Sequence, residues 1–214
     1  MTADCCRSRG RPKALPDETQ RRAIVDEARR LFLRKGYGAT TTEDIAAHCK
    51  ISKQTLYRLF SGKSALFAAV VEANRPQWLE LPVPEDLALQ PALERIFRID
   101  ISEEENRERL DLLRVSLTEG RHFPELHQIL KECGSDYTLA ALANWLTRQE
   151  ELGRIRLAGD ALGAARMLTD MVFGTMLMKF FGDLDWPSDA ARRAQVRNAI
   201  TVFLHGVCTA PPAG

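Results

Sequence analysis

The chain has 214 residues and a net charge of +1, and its 45% hydrophobic and 28% charged residues are ordinary for a soluble globular protein. Aromatic residues make up only 7%, which favours helices over a many-stranded sheet. Five scattered cysteines without a Cys-x-x-Cys pair argue against a disulfide framework or a zinc ribbon, and no uncharged stretch approaches the roughly 20 residues of a membrane span, so we expect a cytoplasmic protein.

The charge is unevenly distributed along the chain. Residues 1–64 contain 14 Lys and Arg against 7 Asp and Glu, whereas residues 65–214 contain 16 against 22. A net charge of +7 on the first part and −6 on the remainder indicates that the N-terminal part binds a polyanion, although chance clustering on a solvated surface would give the same numbers.

Residues 1–16 are predicted to form a flexible basic arm, because glycine and proline interrupt its arginines and lysine. A helix is predicted over 17–36, where apolar residues recur at spacings of three and four and glycines follow the last turn. Its inward-facing residues are Ile24, Ala28, Leu31 and Phe32.

Two short helices separated by a tight turn follow. Thr41 is predicted to cap the first, with Asp44 at the third helical position, and Ser52 to cap the second over 53–60. A longer helix begins at Lys63 and continues toward Trp78. Two short helices across a brief turn are the helix-turn-helix arrangement.

Beyond a Pro-rich connection at 81–87, the rest of the chain is predicted to be all α. No segment alternates convincingly with the period of a strand, and glycines and prolines mark the breaks between helices. The predicted helices cover about 86–101, 103–119, 124–151, 160–181 and 188–208.

The second short helix, within the segment ISKQTLYRLF, has two different faces. Lys53, Gln54, Tyr57 and Arg58 share one arc of the helical wheel, whereas the opposite, largely apolar arc must be buried. The N-terminal residues of the second helix reach deepest into the major groove. Lys53, Gln54 and Thr55 are therefore predicted to contact base edges.

Neighbouring residues suit contacts with phosphates, which supply affinity and register. These residues are Tyr57, Arg58 and Lys63, with Thr41 and Thr42 at a helix N-terminus. Each position also has an ordinary structural interpretation: Tyr57 could be a half-buried packing residue, Thr41 only a helix cap, and the charged side chains merely solvated.

The segment from Ala23 to Val70 resembles the tetracycline-repressor (TetR) family of bacterial transcription regulators. The resemblance spans about 48 residues and rests on several independent motifs, among them GYGATT, EDIA, SKQTLYRLF and the following K..LF. It implies a nine-helix, all-α homodimer that binds DNA through its first three helices. It also implies a C-terminal domain that responds to small ligands.

The resemblance implies a helix-turn-helix DNA-binding domain over 17–65 and a helical ligand-binding and dimerisation domain over 66–214. Carried over residue by residue, it places DNA contacts at Thr41, Thr42, Lys53, Gln54, Thr55, Tyr57 and Lys63.

The chain departs from the family pattern at three positions. Cys49 and Lys50 stand in the turn where the family usually has Ala and Gly, and Leu59 stands where it often has His or Tyr. A non-glycine residue in a left-handed turn costs about 1 kcal/mol. Lys50 therefore either strains the turn or is kept for a phosphate contact.

The arm segment RGRPK at 9–13 resembles the core of an AT-hook. Arg9 and Arg11 could lie in a narrow A·T-rich minor groove, which attracts arginine. A disordered, solubilising tail is the alternative.

The last two predicted helices are apolar around much of their circumference, which predicts burial on more than one side. The resemblance implies that they pair with their copies in a four-helix dimer interface; an internal core is the alternative. A two-fold dimer would bind a palindromic operator with half-sites about 34 Å apart or more.

The family places its ligand among the middle helices, over 86–181 in this chain. Apolar residues that could line such a pocket, or could be plain core, are Phe97, Trp145, Met171, Phe173 and Met176.

Two functions remain open. The first is a homodimeric repressor that a small hydrophobic ligand releases from double-stranded DNA; the second is a helix-turn-helix protein that organises DNA or recruits a partner, whose middle helices would enclose no cavity. No Ser/His/Asp grouping, phosphate-binding glycine loop or HExxH pattern occurs, so we expect neither an enzyme nor a cofactor or metal. We expect no membrane partner.

Overall fold

The computed structural model describes residues 17–179 and 188–207, except for the side chains of 175–179 and 207. The helices are α1 (Asp17–Lys35), α2 (Thr42–His48), α3 (Lys53–Leu59), α4 (Lys63–Ala73), α5 (Arg75–Trp78), α6 (Leu89–Ile96), α7 (Glu103–Glu119), α8 (Glu125–Ile129), a π-helical segment (Leu130–Ser135), α9 (Asp136–Glu151), α10 (Ala161–Lys179) and α11 (Asp189–Val207).

The described part of the chain is all α, as predicted. Only Asn74 separates α4 from α5, and the π-helical segment joins α8 to α9 without a break, so these helices form nine rods. The helices predicted over 103–119 and 124–151 agree with α7 and with the continuous rod from α8 to α9.

In residues 17–179 and 188–207, no helix combines the length and the apolar character that crossing a bilayer requires.

The predicted caps are present at the N-termini of α2 and α3. The Thr41 hydroxyl accepts from the Asp44 amide at 3.0 Å, and the Asp44 carboxylate accepts from the Thr41 amide at 3.2 Å, which completes a capping box. The Ser52 hydroxyl accepts from the Thr55 amide at 3.1 Å. These caps supply acceptors for amides that a helix start leaves unpaired.

The helix predicted over 86–101 is shorter than expected, since α6 covers only Leu89–Ile96. Its C-terminus is a Schellman motif: the Arg98 amide donates to the Arg95 carbonyl at 2.9 Å and the Ile99 amide to the Glu94 carbonyl at 3.0 Å. Arg98 takes the left-handed position with φ 51°, a position that usually selects glycine. The sequence therefore carries no glycine signal for this helix end.

The helices pack around two hydrophobic cores. The N-terminal core contains the predicted inward residues of α1, Leu56 of α3 and α4 residues up to Val71, and it extends to Leu112 of α7 and Leu126 of α8. The C-terminal core is formed mainly by residues of α6, α7, α9, α10 and α11. Because α7 contributes to both cores, it links the helix-turn-helix part to the rest of the chain.

A buried aromatic cluster joins the two parts at the loop between α1 and α2. Tyr37 is 2% exposed, and its ring centroid lies 5.5 Å from Phe32, 5.4 Å from Phe67 and 5.2 Å from Phe123. Burial and the nearby Glu125 carboxylate raise the pKa of Tyr37 to about 12. The phenol therefore stays protonated at neutral pH and donates to Glu125 Oε1 at 3.3 Å.

The carboxylate of Glu119, at the C-terminus of α7, holds the same loop. Its two oxygens accept from the Tyr37 amide at 2.8 Å and from the Gly38 amide at 2.6 Å. Two positions of this loop favour glycine for lack of space. A Cβ on Gly36, which has φ 85°, would overlap the Glu119 carboxylate, and a Cβ on Gly38 would lie 2.9 Å from the Phe123 ring. We call this contact the Glu119 clamp.

Gly36→Ala is expected to lower the free energy of unfolding more than Gly153→Ala. Both glycines have positive φ, 85° and 68°, but only Gly36 has a neighbour where the new Cβ would be placed. Gly153→Ala should cost about 1 kcal/mol for the backbone conformation. Gly36→Ala should cost about 1–3 kcal/mol more, because displacing Glu119 leaves two amides without their acceptor. Urea denaturation followed by circular dichroism measures both values, and equal losses would contradict the Glu119 clamp.

Candidate DNA-binding surface and ligand cavity

The turn between α2 and α3 is closed by backbone hydrogen bonds. The Lys50 amide donates to the Ala47 carbonyl at 3.1 Å and the Ile51 amide to the Ala46 carbonyl at 3.0 Å, which is again a Schellman motif. Lys50 takes the left-handed position with φ 55°, and it is exposed. Gly153 takes the equivalent left-handed position after α9, so the same motif occurs in this chain once with lysine and once with glycine.

Helix α3 has one buried and one exposed face. Leu56 is fully buried and Phe60, just beyond the helix, is 3% exposed, so both anchor α3 in the N-terminal core. On the opposite face, four polar side chains are exposed to solvent: Lys53, Gln54, Tyr57 and Arg58. This arrangement leaves the polar face of α3 free to meet another molecule.

Two of these exposed side chains, Lys53 and Arg58, form ion pairs within the protein. Lys53 Nζ lies 2.6 Å from Glu43 Oε1, and the two terminal nitrogens of Arg58 donate to Asp17 at 2.7 and 2.9 Å. The hydrogen bond from Lys53 lowers the pKa of Glu43, and the hydrogen bonds from Arg58 lower the pKa of Asp17. Both carboxylates are therefore ionised at neutral pH and neutralise the two cations.

Apart from Gln54, the other predicted contact residues on α2, α3 and α4 take part in hydrogen bonds within the protein. Tyr57 OH lies 3.0 Å from Thr42 Oγ1, which joins α3 to the start of α2, and Thr55 Oγ1 lies 2.9 Å from Ser52 Oγ. Lys63 Nζ donates to the Tyr37 carbonyl at 3.0 Å and lies 4.4 Å from the centre of its ring. Thr41 is the α2 cap, as described above.

Arg9 and Arg11, the predicted minor-groove contacts, lie outside the described residues, as does the side chain of Met176.

An apolar cavity of about 360 Å³ lies where the helix-turn-helix part meets the C-terminal helices. Residues of α4, α5, α7, α8, the π-helical segment, α9 and α10 line it. Its apolar wall includes Val71, Trp78, Leu112, Leu130 and Phe173. The rings of Trp78 and Phe173 pack edge to face at 5.5 Å.

Of the predicted pocket residues, Phe173 lines this cavity. Phe97 is buried in the C-terminal core, with its ring 5.7 Å from that of Phe173, and Trp145 packs against the same core. Met171 is exposed and lines a shallow groove between α10 and α11. The prediction missed most of the wall because its residues come from elements that are distant in sequence.

Helices α10 and α11 also expose several large apolar side chains. They are Leu162, Met167 and Met171 on α10 and Val202 on α11, of which Val202 is 64% exposed. Met171 and Val202 line the same groove between α10 and α11, and exposed apolar side chains that lie together in this way are typical of interaction sites.

Within residues 17–179 and 188–207, no three His, Cys, Asp or Glu side chains come together closely enough to hold a metal ion.

Two family models match the chain. The first, described as "Bacterial regulatory proteins, tetR family", matches residues 24–70, which include the helix-turn-helix. The second, described as "AefR-like transcriptional repressor, C-terminal domain", matches residues 88–206, more than half of the chain.

Curated relatives are transcription regulators of the helix-turn-helix type. YvkB of Bacillus subtilis is 29% identical over 154 residues, which are 71% of this chain and 78% of YvkB. UidR of Escherichia coli is 23% identical over 201 residues, which are 92% of this chain and 96% of UidR. YdeS of Bacillus subtilis is 38% identical over 77 residues, so the match spans only 36% of that relative's length.

Solved structures have the same fold. A TetR-family transcriptional regulator from Mesorhizobium loti matches with a TM-score of 0.70 and 26% identity, covering 92% of this chain and 100% of that one. FrrA, described as a flavonoid-responsive regulator, matches with a TM-score of 0.68 and 25% identity, again covering 92% of this chain and 100% of that one. This chain belongs to the TetR family, and it is a DNA-binding transcription regulator rather than an enzyme.

Proposed function

We propose that this regulator is a homodimeric repressor that leaves a palindromic operator when a small, largely apolar organic molecule enters the cavity. The observation that carries the proposal is the exposed polar face of α3 on a fully buried anchor, Leu56. A regulator that acts on the bacterial chromosome has to work in the cytoplasm, which is our proposal for its location.

We propose that different side chains on and around the polar face of α3 contact bases and phosphates. Gln54, whose amide can bond adenine with two hydrogen bonds, and Lys53, which can donate to guanine, would read bases together with Thr55. Tyr57 and Arg58 would bind phosphates, with Thr41, Thr42 and Lys63 at the edge of the contact. We also propose that Arg9 and Arg11 reach the minor groove.

DNA binding by Lys53 and Arg58 would involve an exchange of partners. In the free protein their cations are paired with Glu43 and Asp17. Pairs between exposed side chains contribute little to stability, so phosphates can replace the carboxylates at low cost.

The exposed apolar side chains of α10 and α11 support the proposed homodimer. If two copies bury these patches against each other, each copy presents one α3 to DNA, and a two-fold axis relates the two helices. This symmetry is the reason that we propose a palindromic operator.

The cavity supports ligand control and disfavours the alternative of a DNA-organising protein without an inducer. Its volume of about 360 Å³ lies within the range of small-molecule sites. Flavonoid response is a property of FrrA, and we extend to this chain only the response to a small organic molecule.

Helix α7 offers a route from the cavity to the DNA-binding helices. Leu112 and Leu113 line the cavity, and Glu119, about two turns further along the same helix, clamps the loop before α2. A ligand that shifts α7 would therefore move the Glu119 clamp and change the positions of α2 and α3 relative to their copies in the dimer.

Gln54→Ala is expected to remove the preference for one base in each half-site. Loss of a bidentate contact should cost about 1–3 kcal/mol of discrimination per half-site. Sequencing the duplexes that the pure protein selects from a random pool measures this preference, and it also tests whether the wild-type site is palindromic. Asn144→Ala, on the exposed surface of α9, is the control and should select the wild-type site. An unchanged preference in Gln54→Ala would argue against base reading by this residue.

Lys50→Gly is expected to raise the free energy of unfolding by about 1 kcal/mol, because it relieves the left-handed conformation. If Lys50 also contacts a phosphate, the same variant should bind the operator more weakly and lose about 0.9 from the log–log salt slope per subunit. Lys50→Asn removes the charge while tolerating the conformation, so it separates the two effects. Unchanged operator affinity in both variants would exclude a phosphate contact.

Val202→Arg is expected to convert the dimer to a monomer and to weaken operator binding strongly. An arginine at this position would leave an unpaired charge in the proposed interface. Sedimentation velocity measures the mass in solution. Thr147→Arg, on an exposed position of α9, should remain dimeric. A dimer that tolerates arginine at Val202 would place the interface elsewhere.

A further inference from the structure

The polar side chains in the cavity wall are unbalanced in charge. Among the described lining residues, three are of the basic types, Arg75, His127 and Lys131, and none is Asp or Glu. Arg75 is engaged within the protein: its Nη2 lies 3.6 Å from Glu72 Oε1, its Nε donates to the Cys133 carbonyl, and its guanidinium lies 3.9 Å from the centre of the Tyr137 ring. Because Glu72 offsets the charge of Arg75, the excess of positive over negative charge in the wall comes mainly from Lys131.

A hydroxyl in the same wall has no hydrogen-bond partner. Thr169 lies on α10, one turn before Phe173, and its Oγ1 is buried without a partner. Thr138, which also lines the cavity, instead donates to the Gly134 carbonyl at 3.1 Å. Buried polar groups are normally hydrogen-bonded, so the Thr169 hydroxyl is a donor that a ligand can satisfy.

A buried guanidinium lies behind the aromatic part of the wall. Arg109 is 3% exposed, and its Cζ lies 5.4 Å from the ring centres of both Trp78 and Phe173. Its Nη2 donates to Asn106 Oδ1 at 2.7 Å, but Nε and Nη1 have no partner. None of the ion pairs among the described residues involves Arg109, although a buried cation normally needs one.

Arg109 remains charged at neutral pH despite this environment. Burial, with the neighbouring Arg192 and Arg98, lowers the pKa of its guanidinium to about 9. An uncompensated positive charge beside an apolar cavity acts strongly on anything inside, because the low-dielectric surroundings screen it weakly.

We propose that the cavity takes an amphipathic organic anion, with an apolar body against Trp78 and Phe173 and one carboxylate or similar oxyanion that accepts from Thr169. Arg109 stabilises this negative charge from behind the two rings, and the basic side chains of the wall favour its entry. This assignment rests on the proposed ligand response and narrows it to one chemical class.

The test compares three probes with the same naphthalene body and different head groups: 2-naphthoate, 2-naphthalenemethanol and 2-naphthylmethylammonium. Calorimetry and thermal shift on the full chain measure binding, since a ligand of the native state raises the melting temperature. We expect naphthoate to bind about tenfold or more tightly than the alcohol, and the ammonium to bind most weakly. Tighter or equal binding of the alcohol or the ammonium overturns the proposal, as does the absence of binding by all three.

Two variants test whether Thr169 and Arg109 cause the preference for naphthoate. Thr169→Val, which keeps the shape of the side chain, and Arg109→Met, which removes the buried charge, should each weaken naphthoate binding about tenfold, whereas the uncharged alcohol should lose less affinity in either variant. Thr147→Val and Arg156→Met, on exposed positions outside the cavity, are the matched controls. Arg109→Met should fold with an unchanged or higher melting temperature, and if it fails to fold, Thr169→Val alone decides. Naphthoate affinity that survives Thr169→Val overturns the assigned contact.

Operator release separates this proposal from the proposed function. Naphthoate that binds as expected but leaves the operator complex intact contradicts ligand-controlled repression and upholds the anion site. Release of the operator by the alcohol or the ammonium, with no advantage for naphthoate, upholds ligand control and contradicts the anion site.

Discussion

One carboxylate ties the loop before the helix-turn-helix to the C-terminal helices. Glu119 accepts from two consecutive amides in the loop that precedes α2, beside the aromatic cluster around the buried Tyr37. Because Glu119 is the last residue of α7, the C-terminal helices and the helix-turn-helix share a fixed joint rather than a loose linker. Any movement of α7 must therefore either carry this loop along or break two charge-assisted hydrogen bonds.

Most of the helices could be predicted from the sequence because the residues that specify each helix lie close together in the chain. Periodic apolar residues and capping pairs such as Thr41 with Asp44 specify α1 to α4, and Ser102 with Glu105 specifies the start of α7. The end of α6 could not be predicted in this way, since Arg98 occupies a position where a glycine would have marked the boundary. Its conformation is set by the burial of Phe97 and Ile99 on either side, which is a tertiary constraint.

The candidate DNA surface was predictable for the same reason, and the cavity was not. Lys53, Gln54 and Arg58 belong to a single seven-residue helix, whose burial pattern follows directly from Leu56 and its spacing. The cavity wall combines α4, α5, α7 and α10 with a π-helical segment. Contacts between elements that are distant in the chain produce no periodic pattern in the sequence, so the wall could not be predicted. Phe173 was among the predicted pocket residues because its helix is apolar around much of its circumference, whereas Thr169, a polar residue in that helix, gave no such signal.

The ion pairs of Lys53 and Arg58 also affect how many phosphate contacts the salt dependence of DNA binding would indicate. If a phosphate takes over either cation as proposed, Glu43 or Asp17 loses its partner and attracts sodium or potassium ions from solution. This uptake offsets part of the counterion release from DNA that gives binding its steep dependence on ionic strength. The slope would then understate the number of contacts in the complex.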